Sequence, residues 1–173
     1  MIKEIYLAAG CFWGAQKYFD QFEGVMYTEV GYANGSTEYP SYEDVKYKHT
    51  GHAETVKVVY DDEVLKLESI LKLYFFVIDP YTLNQQGEDK GVQYRTGIYY
   101  NDENDLPVIR KIYDEEQAKS SEKFVVEVKP LLQFFSAEEY HQKYLEKNVN
   151  GYCHISGNYF RIQEMMDKGE FKL

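Results

Sequence analysis

Apolar residues recur along this chain with two periods, and the switches between them lay out its elements. Ile2 to Ala9 is mostly apolar and reads as a buried strand ended by Gly10. Phe12, Ala15, Phe19 and Phe22 then recur at helical spacing, so a helix is expected to start at or just after Cys11. Val25 to Tyr32 reads as a strand closed by the turn pair Asn34-Gly35, and a polar, aromatic loop runs from Gly35 to Gly51. In Glu54 to Tyr60 the residues alternate, with Val56, Val58 and Tyr60 on one face and Thr55 and Lys57 on the other. Glu54 shares the apolar parity.

Helical spacing returns over Glu63 to Val77, and Asp79-Pro80 opens a long loop to Tyr94 rich in Gln, Gly and Asn. Loops of that length are usually functional or disordered. Tyr94 to Tyr100 reads as a strand, Pro107 to Ser120 as a helix with Pro in its first turn, and Phe124 to Val128 as another strand. Ser136-Ala-Glu-Glu139 has the form of a capping box and predicts a helix to about Lys147. From Asn148 the pattern is irregular.

This order, βαββαβ followed by α, β and α, predicts an α+β fold: a two-layer sandwich with a ferredoxin-like βαββαβ core and additional C-terminal α/β elements. No linker, low-complexity tract or repeat interrupts it. Residues 1–155 read as a single catalytic domain and 156–173 as a C-terminal tail whose order the pattern does not define.

Composition agrees with one packed core. The chain has 173 residues, 44% apolar and 17% aromatic, which excludes wholesale disorder despite a mean hydropathy of −0.56. With 19 basic against 29 acidic residues the net charge is −10, so neither nucleic acid nor an anionic membrane is expected as a partner. The longest internal apolar run, Leu73 to Ile78, is far short of the roughly 20 residues that span a bilayer. The start lacks a secretory apolar stretch, so the chain reads as cytoplasmic. Cys11 and Cys153 then read as free thiols or a redox couple rather than a scaffold. The four histidines, at 49, 52, 141 and 154, form no ligand spacing with them, and no metal site is expected.

Chemistry gathers around Cys11. A cysteine where a strand ends and a helix begins lies at the helix's positive pole, which favours thiolate and makes a nucleophile. A small buried apolar residue is the plainer reading of the position alone. Its neighbours favour the nucleophile: in Gly10-Cys11-Phe12-Trp13-Gly14 the only Trp and a Phe stand beside the sulfur, as a wall for an apolar group, with glycines allowing close approach. Glu54 is either a solvated residue at a strand start or a buried carboxyl kept protonated near neutrality, and hence a proton donor. His52, two residues earlier, is an orienting group, a base or a loop residue.

Three motifs in order, Gly10-Cys11-Phe12-Trp13-Gly14, Gly51-His52-Ala53-Glu54 and Asn84-Gln85-Gln86-Gly87-Glu88-Asp89-Lys90-Gly91-Val92-Gln93-Tyr94-Arg95, closely resemble the peptide methionine sulfoxide reductase family of the A type. The likeness runs from about residue 4 to residue 155. It implies that Cys11 attacks the sulfoxide sulfur, that Phe12 and Trp13 receive the S-methyl group, and that Glu54, helped by Tyr42 and Tyr94, protonates the oxygen. Asp89 would hold a water or the substrate's backbone amide; Gly10 and His52 complete the expected binding set. The sulfenic acid left on Cys11 would be resolved by Cys153, in Asn150-Gly151-Tyr152-Cys153-His154, and the disulfide reduced by thioredoxin or another dithiol, with no bound cofactor. Substrates would be free and protein-bound methionine S-sulfoxide, the state a monomer and the role protein repair after oxidation. Alternatively, Cys153 is inert and an outside thiol reduces Cys11 directly.

Two departures from the family pattern are visible. Asn34-Gly35 stands where many members have a Gly pair, and no further Cys follows Cys153, so a two-disulfide relay is excluded. Other functions also fit parts of the chain. An acyl-transfer enzyme using Cys11, His52 and Glu54 would form a thioester and need no reductant. A non-catalytic binding module for acidic-averse, methionine-containing peptides would keep the aromatic wall and need no thiolate.

Overall fold

The computed structural model describes residues 1–173. Its centre is a six-stranded sheet built from β1 (Ile2–Ala9), β2 (Val25–Ala33), β3 (Ala53–Asp61), β6 (Thr96–Tyr100), β7 (Glu127–Pro130) and β8 (Phe134–Ser136), in the order β7-β6-β1-β3-β2-β8. All neighbours are antiparallel except β6 and β7. A separate small hairpin pairs β4 (Gln85–Gln86) with β5 (Asp89–Lys90). The helices are α1 (Phe12–Asp20), α2 (Tyr42–Tyr47), α3 (Leu67–Val77), α4 (Leu106–Ala118), α5 (Tyr144–Lys147) and α6 (Ile162–Asp167). The architecture is thus mixed α/β, and no helix is long and apolar enough to cross a membrane.

The period-two pattern explains how the layers meet. Ile5 and Leu7 of β1, Val30 and Tyr32 of β2, Val56, Val58 and Tyr60 of β3 and Ile98 of β6 share one buried cluster with Phe12, Tyr18 and Phe19 of α1 and Ile70, Leu71 and Leu73 of α3. Such burial supplies the main favourable term in folding. On the opposite face Tyr6, Ala8, Ala33, Ala53 and Tyr99 are covered by Leu131 and Phe134. The β2–β3 register sets Tyr32 opposite Glu54, so a carboxyl enters the helical face in line with Val56 and Val58.

Several elements differ from the expectations above. The 35–51 loop contains α2, started by a reciprocal capping box in which the Ser41 side chain accepts from the Asp44 N–H and Asp44 accepts from the Ser41 N–H. The helix expected from Glu63 begins at Leu67, because 61–65 is a turn closed onto Asp61. The strand expected over Phe124–Val128 pairs only from Glu127, while Phe124 and Val126 are spent on the core, Phe124 stacking on Phe75 at 5.6 Å.

The helix expected from Ser136 does not form there. Phe134–Ser136 is an edge strand on β2, followed by a 3₁₀ turn over Glu139–His141 and the short α5. Partners elsewhere outbid the local cap: Ser136 Oγ bonds Glu29, Glu138 accepts from the Tyr32 hydroxyl, and the Gln142 amide bonds both N–H and C=O of Val30. Beyond residue 155 the chain is helical over Gly157–Asp167 and returns to α1 through hydrogen bonds between Gln21 and the 159–163 segment.

Candidate active site

Cys11 is the N-cap of α1 and 7% exposed. The chain can turn from β1 into α1 because Gly10 adopts φ +80, where a side chain would be strained and its Cβ would also lie 2.7 Å from Gln86. The Trp13 N–H at the start of α1 favours the ionised sulfur, though the Cys11 side chain makes no capping hydrogen bond. Burial outweighs that influence, with the charge of Glu54 adding to it, and the thiol is pushed well above its ordinary range. The expectation of a resting thiolate is therefore corrected: in the ligand-free site Cys11 carries its proton.

Glu54 is 2% exposed and accepts one hydrogen bond, from the Phe12 N–H at 3.2 Å. Burial pushes its carboxyl up to about 8, against the pull of that N–H and of the Lys46 ammonium. At neutral pH it is an un-ionised acid, one backbone step from Cys11. Tyr42, the first residue of α2, is held by its N–H on Glu138 Oε2 at 3.1 Å. Its hydroxyl faces that of Tyr94 and is pushed up to about 12, by burial first and then by the Glu54 and Cys11 charges. Tyr94 is raised by the same causes. Both phenols are thus proton-bearing donors beside the Cys11–Glu54 pair.

The aromatic wall is more elaborate than the Phe12-Trp13 pair suggested. Trp13 stacks on Tyr144 with centroids 3.8 Å apart and donates its indole N–H to His141 Nδ1 at 2.9 Å. The His141 ring also packs on Phe12 and Tyr42 at 5.3 and 4.7 Å. Since His141 Nδ1 is an acceptor, its proton is on Nε2, which is buried and has no partner. Sequence reasoning passed over His141 and Tyr144; their spacing within the misread 136–147 segment carried no signal that they would turn toward Trp13.

Asp89 sits on β5, on a hairpin clamped by buried Gln86, whose amide bonds both N–H and C=O of Asp79. Its Oδ2 is buried without a hydrogen-bond partner, and its charge is felt at Cys11, Glu54 and Tyr94. Cys153 is half-buried and free; its sulfur packs on Gly14, where an added Cβ would lie 2.8 Å away, so the second thiol rests within the first turn of α1. His154 anchors that segment through Nε2 to the Ala9 carbonyl at 3.0 Å.

His52 does not join the group as a base or ligand. Its Nδ1 accepts from the Gly35 N–H at 3.0 Å and its Nε2 faces the Thr37 carbonyl at 2.7 Å, so both nitrogens pin the 35–37 loop. Both ring nitrogens are thus taken up in scaffolding the loop, and an acyl-transfer reading loses its imidazole. No group of three or more His, Cys, Asp or Glu side chains is placed to hold a metal ion. Two surface grooves adjoin residues of the site without being lined by Cys11, one beside Trp13 and one beside Lys46 and Gln93.

A nucleophilic sulfur, a buried neutral acid, two phenols, an aromatic wall and a second thiol suit reduction of a polarised S=O bond. Comparison with known proteins agrees. The family model described as peptide methionine sulfoxide reductase matches residues 3–171. A peptide methionine sulfoxide reductase MsrA from Lachnoclostridium phytofermentans is 58% identical over 155 residues, 90% of this chain and 93% of that one. The reduced form of Mxr1 from Saccharomyces cerevisiae superposes with a TM-score of 0.83 at 39% identity, covering 88% of each chain. Mxr1 in complex with Trx2 matches with a TM-score of 0.59 at 28% identity, over 83% of this chain and 84% of that one. This chain belongs to the peptide methionine sulfoxide reductase family.

Proposed function

We propose that the chain reduces methionine S-sulfoxide, free or in proteins, through Cys11 and Cys153, and passes the oxidising equivalents to thioredoxin. The observation that carries the assignment of roles is the buried, protonated Glu54 bonded to the backbone beside Cys11. A sulfoxide is a poor electrophile until its oxygen takes a proton, and a positioned acid is worth roughly a hundredfold to ten-thousandfold. Glu54 gives its proton to the oxygen, with Tyr42 and Tyr94 donating hydrogen bonds, while the Cys11 sulfur attacks the sulfoxide sulfur. The hydroxyl then passes to the Cys11 sulfur as the new sulfur–sulfur bond and the sulfoxide S–O bond break, so that methionine leaves and Cys11 is left as sulfenic acid; the Cys11 thiol proton restores Glu54. Phe12 and Trp13 receive the methyl group, and the unpartnered Asp89 Oδ2 accepts from a substrate amide.

The Cys153 thiol then attacks Cys11, forming the disulfide and releasing water. Its rest position on Gly14 supports that role. A thioredoxin dithiol restores both thiols, a reading supported by the likeness to Mxr1 in its complex with Trx2. We propose that the chain acts as a monomer, and the free thiols suit the cytoplasm. We further read residues 1–155 as the catalytic domain with 156–173 as an appended tail, and the four central strands as ferredoxin-like. The order β6-β1-β3-β2, with α1 and α3 as its crossovers, supports that layout.

The test is to mix the reduced protein with a methionine S-sulfoxide peptide without reductant and count products. The expected yield is about one methionine per chain with loss of both thiols. Methionine formed while the Cys153 thiol survives rejects the resolving role, and no methionine rejects the reading altogether.

A further inference from the structure

We infer that the groove beside α2 is a subsite for a carboxylate carried by the substrate next to the sulfoxide, with Lys46 and Lys90 as its cationic walls. The inference rests on the reading of the site as a sulfoxide reductase and adds a preference among substrates. The groove holds about 520 Å³ and is lined by residues of three segments, 45–52, 84 and 90–93, none of them acidic. In a chain with 29 carboxylates against 19 basic side chains, a groove lined without a carboxylate is a local reversal of charge.

Each wall also runs into the active site. Val45 and Lys46 follow Tyr42 on α2, Gly51 and His52 precede Glu54, and Lys90 to Gln93 bridge Asp89 and Tyr94. A chain bound with its methionine sulfoxide at Cys11 therefore has a flanking residue at the mouth of the groove. Lys46 lines the groove, and its ammonium lies 5.8 and 5.4 Å from the ring centroids of Tyr42 and Tyr47, the first of them a residue of the site. Its charge is felt at the Glu54 carboxyl, which ties it to the reaction centre. Neither Lys46 nor Lys90 takes part in the ion pairs that engage other lysines, such as Lys3 with Asp105 or Lys48 with Asp44. Neither ammonium is neutralised by a carboxylate at ion-pair distance, although that of Lys46 also lies over two aromatic rings.

The matching chemistry is an Asp or Glu side chain adjacent to the sulfoxide, or the α-carboxylate of a terminal one. At about 0.1 M salt the Debye length is about 10 Å, so distant charges are largely screened, and the two lysines act against the adjoining carboxylates of Glu43, Asp44, Glu88 and Asp89. Exposed pairs of this kind are individually weak, and two together correspond to a preference of about fivefold.

The experiment compares kcat/KM, with dithiothreitol as reductant, for matched peptides bearing Glu, Gln or Lys before or after the methionine sulfoxide. C-terminal sulfoxide peptides with free and amidated ends form a further arm. At about 0.1 M salt the Glu peptide should exceed the Lys peptide by about fivefold on one side of the sulfoxide, and the gap should close near 1 M. In Lys46→Glu/Lys90→Glu the ratio, normalised to the Gln peptide of the same variant, should invert. A gain in the terminal arm alone assigns the subsite to an α-carboxylate. Equal rates for Glu and Lys peptides on both sides and in the terminal arm, or a preference that survives the double charge reversal, would overturn the inference. Failure to reduce even the Gln peptide would instead count against the proposed activity.

Discussion

Two influences oppose each other at the Glu54 carboxyl. Burial drives it toward the neutral form, while the Phe12 N–H and the Lys46 ammonium favour the charged form, and burial wins, leaving it at about 8. A raised value means that the proton is held below about pH 8 and released above it, so the acid is competent throughout the neutral range. The rate of methionine formation in a single turnover should therefore fall as pH rises through about 8, and Glu54→Gln should lack that limb. The variant should be slowed by more than about tenfold with little change in KM; an unaltered single-turnover rate would exclude Glu54 as the acid. The parity of Glu54 with Val56 and Val58 was readable in the chain. The protonation of Cys11 was not, because the helix terminus is a local feature whereas desolvation comes from whatever packs over the sulfur.

At the scale of elements, the first turn of α1 performs two tasks, presenting Cys11 and leaving room for Cys153 against Gly14. Gly14→Ala should favour the helix by its propensity, yet its new Cβ would meet the Cys153 sulfur at 2.8 Å. The expected outcome is a burst of methionine within about twofold of the unsubstituted protein, with loss of the Cys153 thiol slowed about tenfold or more. Thiol loss at the original rate would show that the contact does not set the geometry of resolution. Elements defined by their own periodicity, such as β1, β3 and α4, formed close to where the pattern put them. The 134–147 segment did not, because Glu138 and Gln142 are engaged by β2 and α2, partners that no local window contains. The capping box at Ser41 stands in the sequence as a Ser-x-x-Asp spacing, but no apolar periodicity follows it to mark a helix.

For the molecule as a whole, Tyr74 joins the layers. Its buried hydroxyl donates to the Ala8 carbonyl at 2.7 Å and accepts from the Gly97 N–H at 3.0 Å, fastening α3 to β1 and β6 just behind the site. Tyr74→Phe would leave both backbone groups buried and unpaired, and should lower the unfolding free energy by about 2 kcal/mol in urea titrations. A change below about 0.5 kcal/mol would mean that the groups find other partners. By itself the sequence determined the order of most elements, the inward parity of Glu54 and the three motifs, since these depend on neighbours within a few residues. Only the tertiary structure decided that Cys11, Glu54, Tyr42, Tyr94 and Cys153 converge, that His52 serves the loop, and that the resting sulfur keeps its proton. Each of these depends on solvent being excluded by groups from distant parts of the chain, and no local pattern encodes that.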